Sequence, residues 1–390
     1  MYYLEIQDKF IAQFANTPVI VRAPGRINLI GEHTDYNEGF VLPAAIDKEM
    51  VFALAKNNLH TCRVHALDKK ETFVFELNQL ARSDKTWPNY IMGVVAQFQK
   101  AGYELGGFDC LFGGEIPIGS GMSSSAALEC ALAIGLCRLF NLEIDKLKLA
   151  KMTQQAEHEY AGVNCGIMDQ FTTLFARKEQ VIRLDCRTLE YEYFPLQLQN
   201  FRIVLCDTRV HHALASSEYN HRQWQCIQGL ETLRKRGFKV KSLRDVKMDL
   251  LKSHKKYFDH EIYKRCEYVV QENQRVKQAC RFLKEGNLEA FGDMMLESHY
   301  GLRDLYQVSC DELDLLQMVA ERSPGVIGSR MMGAGFGGCT INIVHSEALD
   351  DFSDVIVSEY KKVYREEPQL HVCELADGAS VIEMVTEQVY

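Results

Sequence analysis

The sequence predicts an α+β protein in two parts. Short apolar runs with strand character recur along it, at residues 19–22, 51–54, 180–185, 201–206 and 339–344. Segments with helical spacing lie between and after them, at 91–99, 123–140, 147–160 and 350–364. Residues 217–285 read as mainly helical. Together these place a boundary near 190–210, between an N-terminal part, residues 1–200, and a C-terminal part, residues 201–390. The pattern leaves open which part takes the C-terminal tail, the N-terminal one included.

Each bulk property narrows the function classes. At 390 residues the chain can build two substantial cores. Its 47% hydrophobic and 25% charged residues are ordinary for a soluble globular protein. A formal net charge of −9 gives no general pull toward nucleic acid or anionic membrane. Residues 1–10 lack the basic start and apolar stretch of a signal peptide. The longest apolar helical run, 126–140, is interrupted by Glu129 and Arg138 and is too short to span a bilayer. Thirteen scattered cysteines without a Cys-x-x-Cys pair suit neither a disulfide framework nor a zinc site. Reduced thiols in a cytoplasmic protein fit best. Residues 234–256 hold ten Lys or Arg against two acids, Asp245 and Asp249. In an acidic chain this stretch reads as a solvated helical face or a variable insertion rather than a nucleic-acid surface.

Candidate chemistry starts directly after the first strand-like run. Arg26, Glu32, His33, Asp35 and Asn37 fall within twelve positions. A fold does not need so many polar groups with so little apolar spacing. A site for a polyhydroxylated ligand does, because each hydroxyl wants both a donor and an acceptor. A polar turn is the alternative.

The second motif is Pro117-Ile118-Gly119-Ser120-Gly121-Met122-Ser123-Ser124-Ser125-Ala126-Ala127. Glycines let backbone N–H groups approach an anion, and the helix that follows adds unpaired N–H groups and a positive dipole end. Gly119, Ser120, Gly121, Met122, Ser123, Ser124 and Ser125 are therefore the candidate phosphate loop. The serine hydroxyls can donate to phosphate or ligate Mg²⁺; capping of the helix is their plainer role. No Gly-Lys dipeptide occurs, which excludes a Walker A loop. Asp169, in Gly162-Val163-Asn164-Cys165-Gly166-Ile167-Met168-Asp169-Gln170, follows a glycine-containing turn and opens a helical run. It is either a reactive acid or a helix cap. The run Met332-Gly333-Ala334-Gly335-Phe336-Gly337-Gly338-Cys339 matches Gly-x-Gly-x-x-Gly. With no strand read before it, it does not suggest a dinucleotide fingerprint.

These segments resemble the signatures of galactokinases, members of the GHMP small-molecule kinase superfamily. Residues 25–37, continued through Gly39-Phe40-Val41-Leu42-Pro43-Ala44-Ala45-Ile46-Asp47, are similar to the galactokinase signature. Residues 117–127 are similar to the GHMP phosphate loop, with Met122 where leucine is usual, a volume-conserving change. Residues 165–170 match Cys-Gly-x-Met-Asp-Gln, and 332–339 resemble the third GHMP motif, with Ala334 where glycine is commoner. Leu214-Ala215-Ser216-Ser217-Glu218-Tyr219-Asn220-His221-Arg222 is similar to the segment whose tyrosine contacts the sugar, although Gln223 stands where a second arginine is frequent. Residues 298–309 follow the galactokinase pattern, and Trp87-Pro88-Asn89-Tyr90 resembles a segment near the nucleotide. The resemblance covers nearly the whole chain.

It implies the two-lobed GHMP kinase fold, with the active site between the lobes. It implies ATP and Mg²⁺ as cofactors and galactose as the sugar. Asp169 is implied as the catalytic base, with Arg26 beside it to stabilise charge on the transferred group. Glu32, His33, Thr34, Asp35, Gly166 and Tyr219 are implied to read the sugar, and Ser125 and Glu157 to ligate Mg²⁺. A kinase for a related sugar, such as N-acetylgalactosamine or arabinose, would share these motifs. So would a non-catalytic galactose sensor on the same fold. Some regulatory relatives lack a Ser-Ala pair in the phosphate loop; Ser125-Ala126 and Asp169 are intact here, which favours an enzyme. No nucleic-acid or membrane partner is expected, and the oligomeric state, monomer included, stays open.

Overall fold

The structure, a computed structural model, describes residues 2–117, 119–211 and 215–383. Ile118 of the phosphate loop and Leu214 of the tyrosine segment lie outside the described residues.

Alternation along the strand Pro43–Lys56 sets up the first layer. Met50, Phe52 and Leu54 face the main core, while Val51, Ala53 and Ala55 face a smaller one, as a two-residue period requires. The six-stranded sheet runs in the order Ser380–Ile382, Val19–Asn28, Pro43–Lys56, Phe108–Gly114, Thr61–Ala66, Glu71–Glu76. All its pairings are antiparallel except that of Phe108–Gly114 with Thr61–Ala66. On one face the helix Tyr2–Phe14 seals Ile6 and Phe10 against Ile20, Val51 and Leu111. On the other lie the helices Thr86–Lys100, Ser124–Phe140, Lys146–Ala156 and Met168–Phe175. A three-stranded sheet, Phe40–Val41, Gln180–Asp185 and Tyr191–Pro195, adjoins them.

The second sheet is antiparallel throughout, in the order Val326–Met331, Gly337–His345, Phe201–His211, Gln369–Cys373. Val204, Val344, Leu316, Phe352 and Ile356 close one core against the helices Asp311–Arg322 and Leu349–Tyr364. Ile203, Leu205, Ile341 and Ile343 point the other way and join the core of the first sheet. A third, helical region is built from Ala215–Arg234, Met248–Ser253 and His260–Glu285 around Leu230, Leu233, Leu251, Tyr263 and Val269. After completing the second sheet, the chain returns: Ile46 bridges Leu375, and Ser380–Ile382 pairs with Val19–Asn28. This is the α+β architecture expected, with mixed sheets and helices packed around them.

Three local readings change. The run 147–160 is not one α-helix: Lys146–Ala156 gives way to a π turn, Glu157–Ala161, ended by Gly162. The serines before Ser124–Phe140 do not cap it, since Ser123 makes no capping bond. A strand, Val326–Met331, does precede the third glycine motif. It leads through the motif into the antiparallel strand Gly337–His345 rather than a helix, so the dinucleotide reading fails for a different reason. Among the described residues no helix is long and apolar enough to cross a membrane. The basic stretch is tied down locally. Arg234 bonds Glu231 and two backbone carbonyls, Arg244 pairs with Asp185, and Arg236 stacks on Tyr257.

Candidate active site

Arg26 reaches the site because its strand breaks register. Pairing with Pro43–Lys56 shifts between Pro24 and Arg26, where proline cannot donate to the ladder, and a bulge re-aims the side chain that follows it. The Arg26 backbone N–H then donates to the Met122 carbonyl (3.0 Å), tying the strand to the phosphate loop. Its side chain is buried and grips Asp169 with two bonds, Nε to Oδ1 at 2.7 Å and Nη2 to Oδ2 at 2.8 Å. A third donor meets the Gly121 carbonyl. The Ser123 hydroxyl donates to Asp169 Oδ2 at 2.5 Å. Burial alone would lower the Arg26 pKa, but Asp169, Glu32 and Asp35 outweigh it and raise it. Asp169 lies in the first turn of the helix Met168–Phe175, yet its oxygens serve Arg26 and Ser123, not the helix N–H groups.

Two cavities meet at Arg26, and Asp169 lines the first of them. One, of about 410 Å³, is lined by Arg26, Glu32, His33, Asp35, Glu157, Cys165, Gly166, Asp169, Tyr219 and Ala334, among others. It gathers residues from as far apart in the chain as Arg26 and Ala334. Glu32 is held by Arg330 (2.6 Å) and by the Gly333 N–H (2.8 Å). Gly166 is glycine because Asp35 lies against it: a Cβ there would sit 2.0 Å from Asp35 Oδ2. Burial, then Asp169, pushes the Asp35 carboxyl up to about 7. Thr34 does not line the cavity. It is fully buried, and its hydroxyl serves the carbonyls of Gly31 (2.8 Å) and Phe40 (2.6 Å). Its part is to shape the loop, not to touch a ligand.

The second cavity, of about 490 Å³, is lined by Gly119, Gly121, Met122, Ser123, Ser124 and Ser125 and, facing them, by the glycine-rich run Gly333–Gly338. Gly121 (φ +79°) and Gly333 (φ +84°) bring the two loops into backbone contact, and a Cβ on Gly333 would lie 3.3 Å from the Gly121 Cα. Two peptide loops and the start of the helix Ser124–Phe140 thus surround a space that suits phosphates. Ser120 is the exception among the loop residues. Its buried hydroxyl turns back to the Pro117 carbonyl (2.8 Å). A further cavity of about 490 Å³ opens from Ser124 and Ser125 toward Trp87, Tyr90, Phe112 and Ile116.

Carboxylates outnumber cations around Ser125. Burial, then Asp169, pushes Glu157 up to about 7, against hydrogen bonds from Ser125, Cys165 and Gln170. The Gln170 amide donates to Glu157 (2.7 Å) and to the buried Glu129 (3.2 Å), whose pKa burial and then Glu157 raise well above the usual range. Glu129 Oε1 and Gln170 Oε1 lack partners. Crowded carboxyl oxygens that burial and mutual repulsion hold toward the protonated form fit a divalent cation, which would favour their ionised state, arriving with phosphates.

Comparison with known proteins tests what this arrangement belongs to. A sequence model described as the galactokinase galactose-binding signature matches residues 8–56. Models for the GHMP kinase N-terminal and C-terminal domains match 89–177 and 279–362. The galactokinase of Roseiflexus sp. (strain RS-1) is 40% identical over 96% of each chain. The chain belongs to the galactokinase family. The galactokinase of Thermotoga maritima is also 40% identical, over 93% of this chain and 99% of its own. The crystal structure of Lactococcus lactis galactokinase complexed with galactose matches with a TM-score of 0.95 at 35% identity, covering 98% of this chain and all of that one. The mevalonate kinase of Methanococcus jannaschii, at 17% identity and TM-score 0.65, shares the fold.

The structure adds residues to the galactokinase motifs that sequence reasoning passed over. Arg330, fully buried on the strand before the third glycine loop, pairs with Glu32. Its one signal is a charge in an otherwise buried strand, which must find a partner. Glu129 was visible only as an interruption of an apolar helix, and Gln170 only as the last letter of a motif. Tyr306 was visible only as one letter of the segment 298–309, and Cys226 gave no signal.

Proposed function

We propose that this chain transfers the γ-phosphoryl group of ATP to the anomeric hydroxyl of D-galactose, giving galactose 1-phosphate and ADP. The observation that carries the proposal is the Arg26–Asp169 pair at the junction of a cavity lined by the sugar signature and a cavity lined by two glycine loops. The reacting groups of a sugar and a nucleotide would meet there.

Asp169, facing the sugar cavity, takes or orients the anomeric proton. Arg26 is fixed by Asp169 and the Gly121 carbonyl, so its charge is already aimed where the transferred phosphoryl oxygens build charge. Such a reaction asks mainly for positioning and electrostatics. Glu32, His33, Asp35, Gly166 and Tyr219 wall the sugar site, and the Gly119–Ser125 loop cradles phosphates. Ser125 and Glu157 would hold Mg²⁺, which when bound neutralises charge on the phosphates. Residues 1–200 form the lobe that supplies the signature and phosphate loop. The part 201–390 supplies Tyr219 and the third glycine loop, and its returning strand Ser380–Ile382 pairs into the N-terminal sheet. Thirteen cysteines, all unpaired, support a reducing, cytoplasmic setting.

An ADP-release assay over a panel of sugars tests the reading. Galactose should give the highest kcat/KM. A preference for N-acetylgalactosamine or arabinose would replace it with a related sugar kinase. Galactose binding without turnover would replace it with a sensor.

A further inference from the structure

His33 lines the sugar cavity, but its two ring nitrogens have different surroundings. Nε2 is 3.2 Å from the Ala334 carbonyl oxygen, which can only accept, so Nε2 carries a proton. Burial pulls the His33 pKa down to about 3; the Ala334 carbonyl opposes this and Arg222 and Arg330 add to it. A neutral ring has one N–H, which leaves Nδ1 as an acceptor. Its partner is the Tyr36 hydroxyl, at 2.8 Å.

The rest of the chain of bonds then has one direction. Tyr36 spends its proton on His33, so its oxygen accepts from the Tyr306 hydroxyl at 2.7 Å. Tyr306 has spent its proton in turn, so its oxygen accepts from the Cys226 thiol at 3.3 Å. The Asn37 amide donates to Cys226 Sγ at 3.7 Å. Cys226 and Tyr306 are fully buried. Cys226 lies on the helix Ala215–Arg234, and Tyr306 ends a π turn, Gly301–Tyr306, a local distortion often found at functional sites. The Tyr306 ring packs on His33 with centroids 4.8 Å apart.

We infer that Cys226, Tyr306 and Tyr36 form a hydrogen-bond relay that fixes His33 as an Nε2–H donor at the sugar cavity, making Cys226 and Tyr306 positioning residues for sugar binding. The Nε2–H, which rests on the Ala334 carbonyl, is then the one group His33 can share with or turn to a sugar hydroxyl, and that hydroxyl must present its oxygen. The relay ties this specificity to side chains of the C-terminal lobe that touch no ligand themselves.

The positioning role rests on the reading of this cavity as a sugar site; the tautomer does not. Sugar-free protein labelled with ¹⁵N-histidine reports the tautomer by long-range ¹H–¹⁵N NMR, with the His33 signals assigned by their loss in His33→Gln. Wild-type His33 should show protonated Nε2 and bare, hydrogen-bonded Nδ1 at neutral pH. In Tyr36→Phe the Nδ1 signal should move toward that of a free acceptor, and in Tyr306→Phe and Cys226→Ala it should move the same way by less. Losing one buried hydrogen bond in this chain should raise the galactose KM in those variants by about 3- to 10-fold, with the ATP KM unchanged. Cys226→Ser keeps a donor and should restore both readouts. A proton on Nδ1 or on both nitrogens of wild-type His33 overturns the relay. A shifted Nδ1 with unchanged galactose KM in Tyr36→Phe and Tyr306→Phe overturns the positioning role. Failure of the galactose reading itself would appear in the sugar panel and leave the NMR result standing.

Discussion

Replacing Asp169 by asparagine keeps the size of the side chain and removes its charge, and the structure allows both consequences to be sized. Each carboxylate oxygen accepts from Arg26, at 2.7 and 2.8 Å, and Oδ2 also accepts from Ser123. An amide has one accepting oxygen, so in either orientation its NH₂ faces a guanidinium N–H. One of the two charge-assisted bonds is lost, at about 1.5–3 kcal/mol. The lower end applies, because Arg26 keeps the Gly121 carbonyl and the nearby Glu32 and Asp35, and the Asp169 side chain is 22% exposed. Asp169→Asn should therefore fold, with a Tm lower by a few degrees. Chemistry should suffer more. Loss of a general base typically removes about 10²–10⁴ in rate, roughly 3–5 kcal/mol of barrier. Galactose affinity should change little, since Glu32, Asp35 and Tyr219 still line the cavity. ADP-release kcat, calorimetric galactose binding and thermal denaturation should be measured on one preparation. Near-wild-type turnover would refute the catalytic role. Lost folding and lost binding together would make Asp169 a structural partner of Arg26 and nothing more.

Gly166→Ala places a methyl 2.0 Å from Asp35 Oδ2, so it should abolish or strongly weaken galactose binding while ATP binding persists; unchanged galactose calorimetry would argue against the shape of the cavity. Ser125→Ala and Glu157→Gln should raise the Mg²⁺ concentration needed for half-maximal activity and weaken Mg²⁺-dependent nucleotide binding, with galactose affinity unchanged, and a Mg²⁺ titration identical to wild type would unseat either ligand. Asp35 is pushed up to about 7, so the ligand-free folded state holds a proton there that the unfolded chain has released above about pH 4. Stability from that proton is fully present below about pH 4 and is lost progressively as pH rises to about 7; Asp35→Asn should therefore gain Tm over wild type between about pH 4 and 7 and hold that gain above it, and a constant difference would show that Asp35 is not perturbed. Galactose should exceed glucose in kcat/KM, because an epimer leaves a buried polar group without its partner; equal values would count against the sugar assignment.

What the sequence disclosed and what it withheld divide along a physical line. Residues 25–37, 117–127 and 162–170 each carry chemistry within a dozen positions, because a turn, a helix start or a bulge presents backbone and side chains together. Such sites can be read locally, and the α+β class could be read the same way, from strand and helix periods. Short edge strands such as Gln369–Cys373 and Ser380–Ile382 could not. Their pairing partners lie far back in the chain, and only tertiary contact makes them strands. The π turn after Ala156 was also hidden, since a 3.6-residue period runs through it with no break in composition.

The same line explains why Thr34 was misassigned and Arg330 missed. Thr34 sits between Glu32, His33 and Asp35, so proximity in sequence made it a sugar contact. The loop turns it inward, to the Gly31 and Phe40 carbonyls. Arg330 is 298 positions from Glu32, yet it pairs with it at 2.6 Å, and neither charge is tolerable in a buried wall without the other. Glu32 also accepts from the Gly333 N–H. One carboxylate of the sugar signature thus fixes both the strand before the third glycine loop and the loop itself, against which Gly121 of the phosphate loop packs. The sugar cavity and the phosphate cavity are therefore not independent sites brought together by the fold. They share Arg26, Gly119, Gly121 and Gly333 as common wall or backbone contact, so a change that frees Glu32, itself a wall of the sugar cavity, would be felt at the phosphates as well as at the sugar.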